Sequence, residues 1–155
     1  SPAARERCQP LLSAMGKRTF EAGDDPVKAA CIKLANNFLL GSAIEAMGEA
    51  FSLGRKYDVA PSTFYDVITE LLFAAPAYKV YGKIIADEDY DKVGITAVLG
   101  LKDCNLALAA SDAARVPLPS ASVWRDRLLA AIAQGHGERD WSVMAAEQAR
   151  ASGLK

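Results

Sequence analysis

Between Pro26 and Tyr57 nothing interrupts a helical pattern: no second proline, no glycine pair, no turn cluster. Thirty residues of helix span about 45 Å, so one rod has to organise the chain around it. The segment VKAACIKLANNFLLGSAIEAMGEAF, residues 27–51, is apolar nearly all round, which predicts a central, buried helix. Pro26 suits its first turn, with Asp24 or Asp25 as N-cap. Gly41, Ala43, Gly48 and Ala50 would let neighbouring backbones approach closely.

A small cluster of polarity breaks this apolar run. Lys33, Asn36 and Asn37 stand between Ile32 and Phe38. Asparagine competes for backbone hydrogen bonds inside a helix, and a buried lysine is costly unless paired or neutralised. Lys33 and Asn37 are four residues apart and share a face, about 40° from each other; Asn36 sits about 60° to the other side of Lys33. One reading is structural, with the amides satisfying a loop while Lys33 snorkels to water. The other is chemical: a desolvated lysine exchanging a proton near neutral pH, with an amide one turn on to position a substrate hydroxyl or carboxylate.

The rest of the chain reads as further helices. YDVAPSTF marks a loop and a new start at Pro61 or Ser62, running to about Phe73. Pro76 opens a short helix, DEDYDKVG is a polar turn, and ITAVLGLKDCNLALAASDAARV predicts a second long buried helix. Ser120 or Ser122 is the expected cap of the next helix, and Asp140 that of the last. The front is different: a short helix over about 3–15, then Gly16 and a strand-like RTFEAG with no second strand to pair with. The expected class is therefore all-α, a bundle around one long central helix, preceded by a short helix–strand stub.

LGLKDCNLALAAS carries the second polar cluster, Lys102, Asp103 and Asn105. Adjacent side chains leave a helix about 100° apart, so Lys102 and Asp103 are not expected to bridge each other. Other chemistry falls away. Asp87, Asp89 and Asp91 imitate an EF-hand start, but Lys92 replaces its glycine and Val98 its closing glutamate. His136 is the only histidine and no C-x-x-C occurs, so a zinc site or a His-activated nucleophile is not expected. Phe73, Tyr78 and Tyr81 follow helical spacing and suit a core better than a pocket. Eighteen basic and nineteen acidic residues are well mixed, which argues against nucleic acid. Three scattered cysteines suit a reducing compartment, and the apolar runs are too short to span a bilayer, so the expected location is cytoplasmic.

The two clusters together, K-L-A-N-N and some seventy residues later L-K-D-C-N-L-A-L, resemble the β-hydroxyacid dehydrogenase family, which includes 3-hydroxyisobutyrate dehydrogenase and 6-phosphogluconate dehydrogenase. GHGERDWS resembles that family's G-x-G-x-x-D-x-S close. The resemblance covers about residues 23–150. It implies that residues 23–155 are the all-α C-terminal substrate and dimerisation domain, and residues 1–22 the tail end of an N-terminal Rossmann domain. By the same resemblance Lys33 is the general acid/base, Asn37 and, more weakly, Asn36 bind substrate, and Lys102 and Asp103 form the cofactor-binding side, Lys102 reaching the cofactor edge of the cleft and Asp103 orienting the site or bracing the interdomain helix. The implied cofactor is NAD or NADP, held mainly by a domain outside this chain. The implied substrate is a small 3-hydroxyacid, the implied assembly a homodimer, and the chain alone should be inactive. A stand-alone helical interaction module that has lost catalysis is the alternative; an imine or keto reductase of related architecture is a third.

Overall fold

In the computed structural model, residues 2–154 are described. They form seven α-helices: α1 Pro2–Met15, α2 Pro26–Lys56, α3 Pro61–Glu70, α4 Pro76–Asp87, α5 Ala97–Ala114, α6 Pro119–Ala133 and α7 Met144–Ala151, the last entered through a 3₁₀ turn at Trp141–Val143. No strand occurs among the described residues. Residues 18–23, expected as a strand stub, are irregular instead; a strand exists only by pairing, and no described strand lies beside them.

The chain divides into two compact units, Ser1–Lys33 and Leu34–Lys155, parting inside α2. In the first, α1 has no buried residue. Arg5 ties it to the following loop, pairing with Glu21 at 2.7 Å and with Asp24, and donating to the Gly23 carbonyl. Asp25 caps α2 as expected, its Oδ1 accepting from the Val27 N–H at 2.9 Å.

The second unit is built around two tryptophans. Trp124 of α6 and Trp141 are fully buried and meet edge to face, 6.1 Å between centroids. Two glycines admit them: a Cβ on Gly41 would stand 2.8 Å from Trp124, and one on Gly100 would stand 2.9 Å from Trp141. The expectation of wholly buried long helices is corrected here. On α2 burial begins only at Gly41, and Leu39, one turn after Ala35, is exposed. On α5 only the stripe Ala97, Gly100, Asp103, Cys104, Ala107 and Ser111 is buried, while Val98, Leu99 and Leu106 are exposed. An all-round apolar sequence records what a helix can bury; the described neighbours cover one face of each.

Helix starts follow backbone chemistry more than the expected serines. Pro119 opens α6 with Leu118 in the cap position, so Ser120 and Ser122 lie inside the helix; proline's fixed φ and missing N–H suit N1. Thr96 caps α5 by accepting from the Leu99 N–H at 3.2 Å. Asp140 caps the last turn as expected and does more. Fully buried, it accepts from the Ser142 N–H at 2.9 Å, the Ser142 hydroxyl at 2.6 Å and the Gly94 N–H at 2.9 Å. Backbone bonds from Trp141 to Ile95 and from Ala97 to Arg139, both 2.8 Å, complete the clasp. The G-x-G-x-x-D-x-S segment thus joins the start of α5 to the start of α7.

Candidate functional site

The polar cluster within the second unit is built where α2 passes α5. Asn37 leaves α2 four residues before Gly41 and is half-buried; Asp103 leaves α5 on its buried stripe, one turn after Gly100. The Asn37 Nδ2 donates to Asp103 Oδ2 at 2.7 Å. Lys102 Nζ lies 2.6 Å from Asp103 Oδ1. That ion pair corrects the expectation that adjacent residues diverging by about 100° do not bridge; the four-methylene lysine stem is long enough to fold back along the helix. Asp103 is 6% exposed, whereas the Lys102 side chain is 53% exposed. The carboxylate is therefore held inside and the ammonium at the surface.

Asn36 is exposed on α2. Lys33 is exposed on the same helix, four residues before Asn37, as the last residue of the first unit. Asn105 goes elsewhere: its Oδ1 accepts from Arg125 Nε of α6 at 2.9 Å. Of the residues singled out by sequence, the second unit thus gathers Asn37, Lys102 and Asp103 into one hydrogen-bonded group. The aromatic candidates belong largely to packing. Phe73 and Tyr78 meet at 4.9 Å, and Tyr81 lies edge-on to Trp141 at 6.0 Å, where burial raises its phenol above the ordinary value. Asp87 pairs with Lys83 at 2.7 Å, Asp89 with Lys92 at 2.6 Å and Asp91 with Arg139 at 3.0 Å, so all three EF-hand-like aspartates serve ion pairs.

Two buried acids had no sequence signal. Glu45 of α2 lies 3.2 Å from the Arg127 guanidinium of α6, and burial raises its carboxyl above the ordinary range. Glu147 of α7 accepts from Gln134 at 3.0 Å, pairs with Arg150, and has His136 Nδ1 at 4.0 Å. Glu45 meets Arg127, and Glu147 meets Gln134 and His136, from elsewhere in the chain, a relation that spacing along one helix cannot reveal; Arg150 shares the helix of Glu147.

The family model described as the NAD-binding of NADP-dependent 3-hydroxyisobutyrate dehydrogenase matches residues 28–147. The chain belongs to the 3-hydroxyisobutyrate dehydrogenase family. That matched span includes every residue of the polar clusters. An oxidoreductase of Bacillus subtilis, YfjR, is 35% identical over 91% of this chain and 49% of its own length. A 2-(hydroxymethyl)glutarate dehydrogenase of Eubacterium barkeri is 32% identical over 93% of this chain and 48% of its own. A solved 3-hydroxyisobutyrate dehydrogenase from Salmonella typhimurium superposes with a TM-score of 0.87 at 26% identity, covering 95% of this chain and 51% of that one. The chain spans about half the length of the curated relatives it matches.

Proposed function

We propose that this chain is the helical, substrate-binding part of an NAD(P)-dependent dehydrogenase of the β-hydroxyacid type, acting within a longer protein on a small 3-hydroxyacid. The observation that carries the reading is the Asn37–Asp103–Lys102 group, set in a segment that matches the family. A buried carboxylate orienting an amide, beside a half-exposed ammonium, is a preorganised polar site rather than a solvated rim.

Within this reading Lys33 is the general acid/base. Helical periodicity puts it on the Asn37 face, one turn away. Its Nζ takes the proton from the substrate hydroxyl during oxidation and returns it during reduction. Asn37 and, more weakly, Asn36 hold the substrate beside it. The donor set also fits contact with an anionic dinucleotide from one edge, through Lys102. No G-x-G-x-x-G stands in the chain to cradle a pyrophosphate, so the main hold on NAD or NADP falls to a dinucleotide-binding domain, of which residues 1–22 are the tail, and the chain alone is inactive. Bound NAD or NADP would supply the hydride acceptor.

Exposed Leu39, Leu71 and Leu72 support association, and we assign the assembly as a homodimer. No helix among the described residues is long and apolar enough to cross a membrane; cytoplasmic residence is part of the same proposal. The test is a panel of 3-hydroxyacids offered to the full-length protein with NAD or NADP. Substrate-dependent formation of reduced nicotinamide is expected with at least one pair. No turnover with any, from a folded protein that self-associates, would leave the helical interaction module as the better reading.

A further inference from the structure

Between α2 and α6 lies an open pocket of about 170 Å³, lined by Ser42, Glu45, Ala46 and Glu49 of one helix and by Ser120 and Val123 of the other. A single water needs about 10–15 Å³, so the space suits a molecule of several heavy atoms. Glu45 follows Asn37 by eight residues, about 12 Å along α2, so the pocket is separate from the Asn37–Asp103–Lys102 group. The proposed hydride transfer uses none of its lining residues.

Two of its polar groups lack a partner. Glu45 is 5% exposed, and its Oε1 faces Arg127, which also donates to Gln148; its Oε2 is buried with no hydrogen-bond donor. The Ser42 hydroxyl, three residues earlier on the same helix, is buried and unpartnered as well. A buried carboxylate oxygen without a donor is costly, and only an N–H or O–H can relieve it. Glu49, exposed one turn further on, adds a second carboxylate. Two carboxylates against the single Arg127 guanidinium leave one negative charge, which the roughly half positive charge at the start of α6 does not cancel. The pocket therefore turns anions away, hydroxyacids included. No three His, Cys, Asp or Glu side chains are grouped to hold a metal among the described residues, so the donor set suits an organic cation better than a divalent ion.

We propose that this pocket binds a small organic monocation whose primary ammonium donates to Glu45 Oε2 and to the Ser42 hydroxyl oxygen, with Glu49 as the second counter-charge. A primary ammonium carries three donors, enough for one on each of these oxygens. A quaternary ammonium has the same charge but no donor, and leaves Oε2 unmet. Ala46 and Val123 offer methyl groups to a short carbon chain, and the Ser120 hydroxyl can meet a polar group at its far end. The last torsion of a glutamate is broad, so a small turn of the Glu45 carboxyl brings Oε2 to the ligand while α2 stays in place.

The test titrates the isotope-labelled full-length protein at pH 8 with ethylammonium chloride and follows backbone amide shifts. Saturable shifts at Ser42, Glu45 and Ser120 are expected, with a Kd of about 1–10 mM for a probe of so few atoms. Tetramethylammonium and potassium chlorides should bind at least about tenfold more weakly, because neither brings a donor. Glu45→Gln should weaken ethylammonium by at least about tenfold, and the exposed Glu49→Gln by about threefold. Should Glu45→Gln fail to fold, Ser42→Ala takes its place, with a loss of about threefold or more. Shifts that do not saturate overturn the proposal, as does tetramethylammonium or potassium binding as tightly as ethylammonium. So does a Kd that neither Glu49→Gln nor Ser42→Ala moves. Failure here leaves the hydroxyacid reading untouched, since the two sites share no residue.

Discussion

The Ser142 hydroxyl donates to Asp140 Oδ1 at 2.6 Å while the other oxygen of the same carboxylate accepts from the Gly94 N–H, so one fully buried side chain fastens the entry to α5 onto the entry to α7. Asp140→Ala strands these donors in a dry seam. It should cost roughly 3 kcal/mol, a fall of about 2–4 °C in Tm for each, read by thermal unfolding. A fall of under 2 °C would deny Asp140 that role.

Two glycines of α2 should respond in opposite directions to the same substitution. Gly41→Ala drives a methyl into Trp124, which is fully buried and has no room to yield, and should cost about 1–3 kcal/mol. Gly54→Ala meets only Val59 and Phe64 at 3.8 and 3.9 Å, and should be neutral or stabilise by up to about 1 kcal/mol through helix propensity. Chemical denaturation of the pair checks both signs.

Thiol chemistry should divide the cysteines. Cys8 and Cys31 are exposed, whereas Cys104 is fully buried, with Sγ 3.3 Å from the Ala121 carbonyl and its thiol pushed up to about 12 by burial. At mildly alkaline pH Cys104 therefore carries almost no thiolate. A chromogenic disulfide reagent should titrate two thiols in the native chain and three after unfolding.

Glu45 should leave a mark on the pH dependence of stability. Burial raises its carboxyl above the ordinary 4.5, so the folded state binds its proton more tightly than the unfolded state. Stability from this group is then lost as pH rises through the window above 4.5. The Tm of the unmodified protein, taken relative to Glu45→Gln, should decline between about pH 4 and pH 7. An increase over that range would reverse the assigned sign.

The fold was legible where one residue decides a local event: Pro26, Pro61 and Pro76 open helices, and Asp25 and Asp140 cap them. Burial was less so. Composition marks α2 as apolar on all sides but does not say which face its neighbours cover, and its covered face starts only at Gly41. The candidate site stands out in the sequence as two polar clusters out of place, because polarity inside a greasy helix asks for a cause. Their junction does not: Asn37 to Asp103 is a tertiary contact, and helical angles alone argued against the Lys102–Asp103 pair that forms. Glu45 and Glu147 carry no sequence signal of burial, because an isolated acid in a helix looks the same whether it faces water or a guanidinium.

The most direct measurement is steady-state turnover of Lys33→Ala in the full-length protein, with a hydroxyacid it accepts and NAD or NADP. If Lys33 is the acid/base, kcat should fall by about 10²–10⁴ with the thermal midpoint unchanged. Near-normal turnover in a well-folded variant would contradict the assignment of this polar patch as the catalytic site.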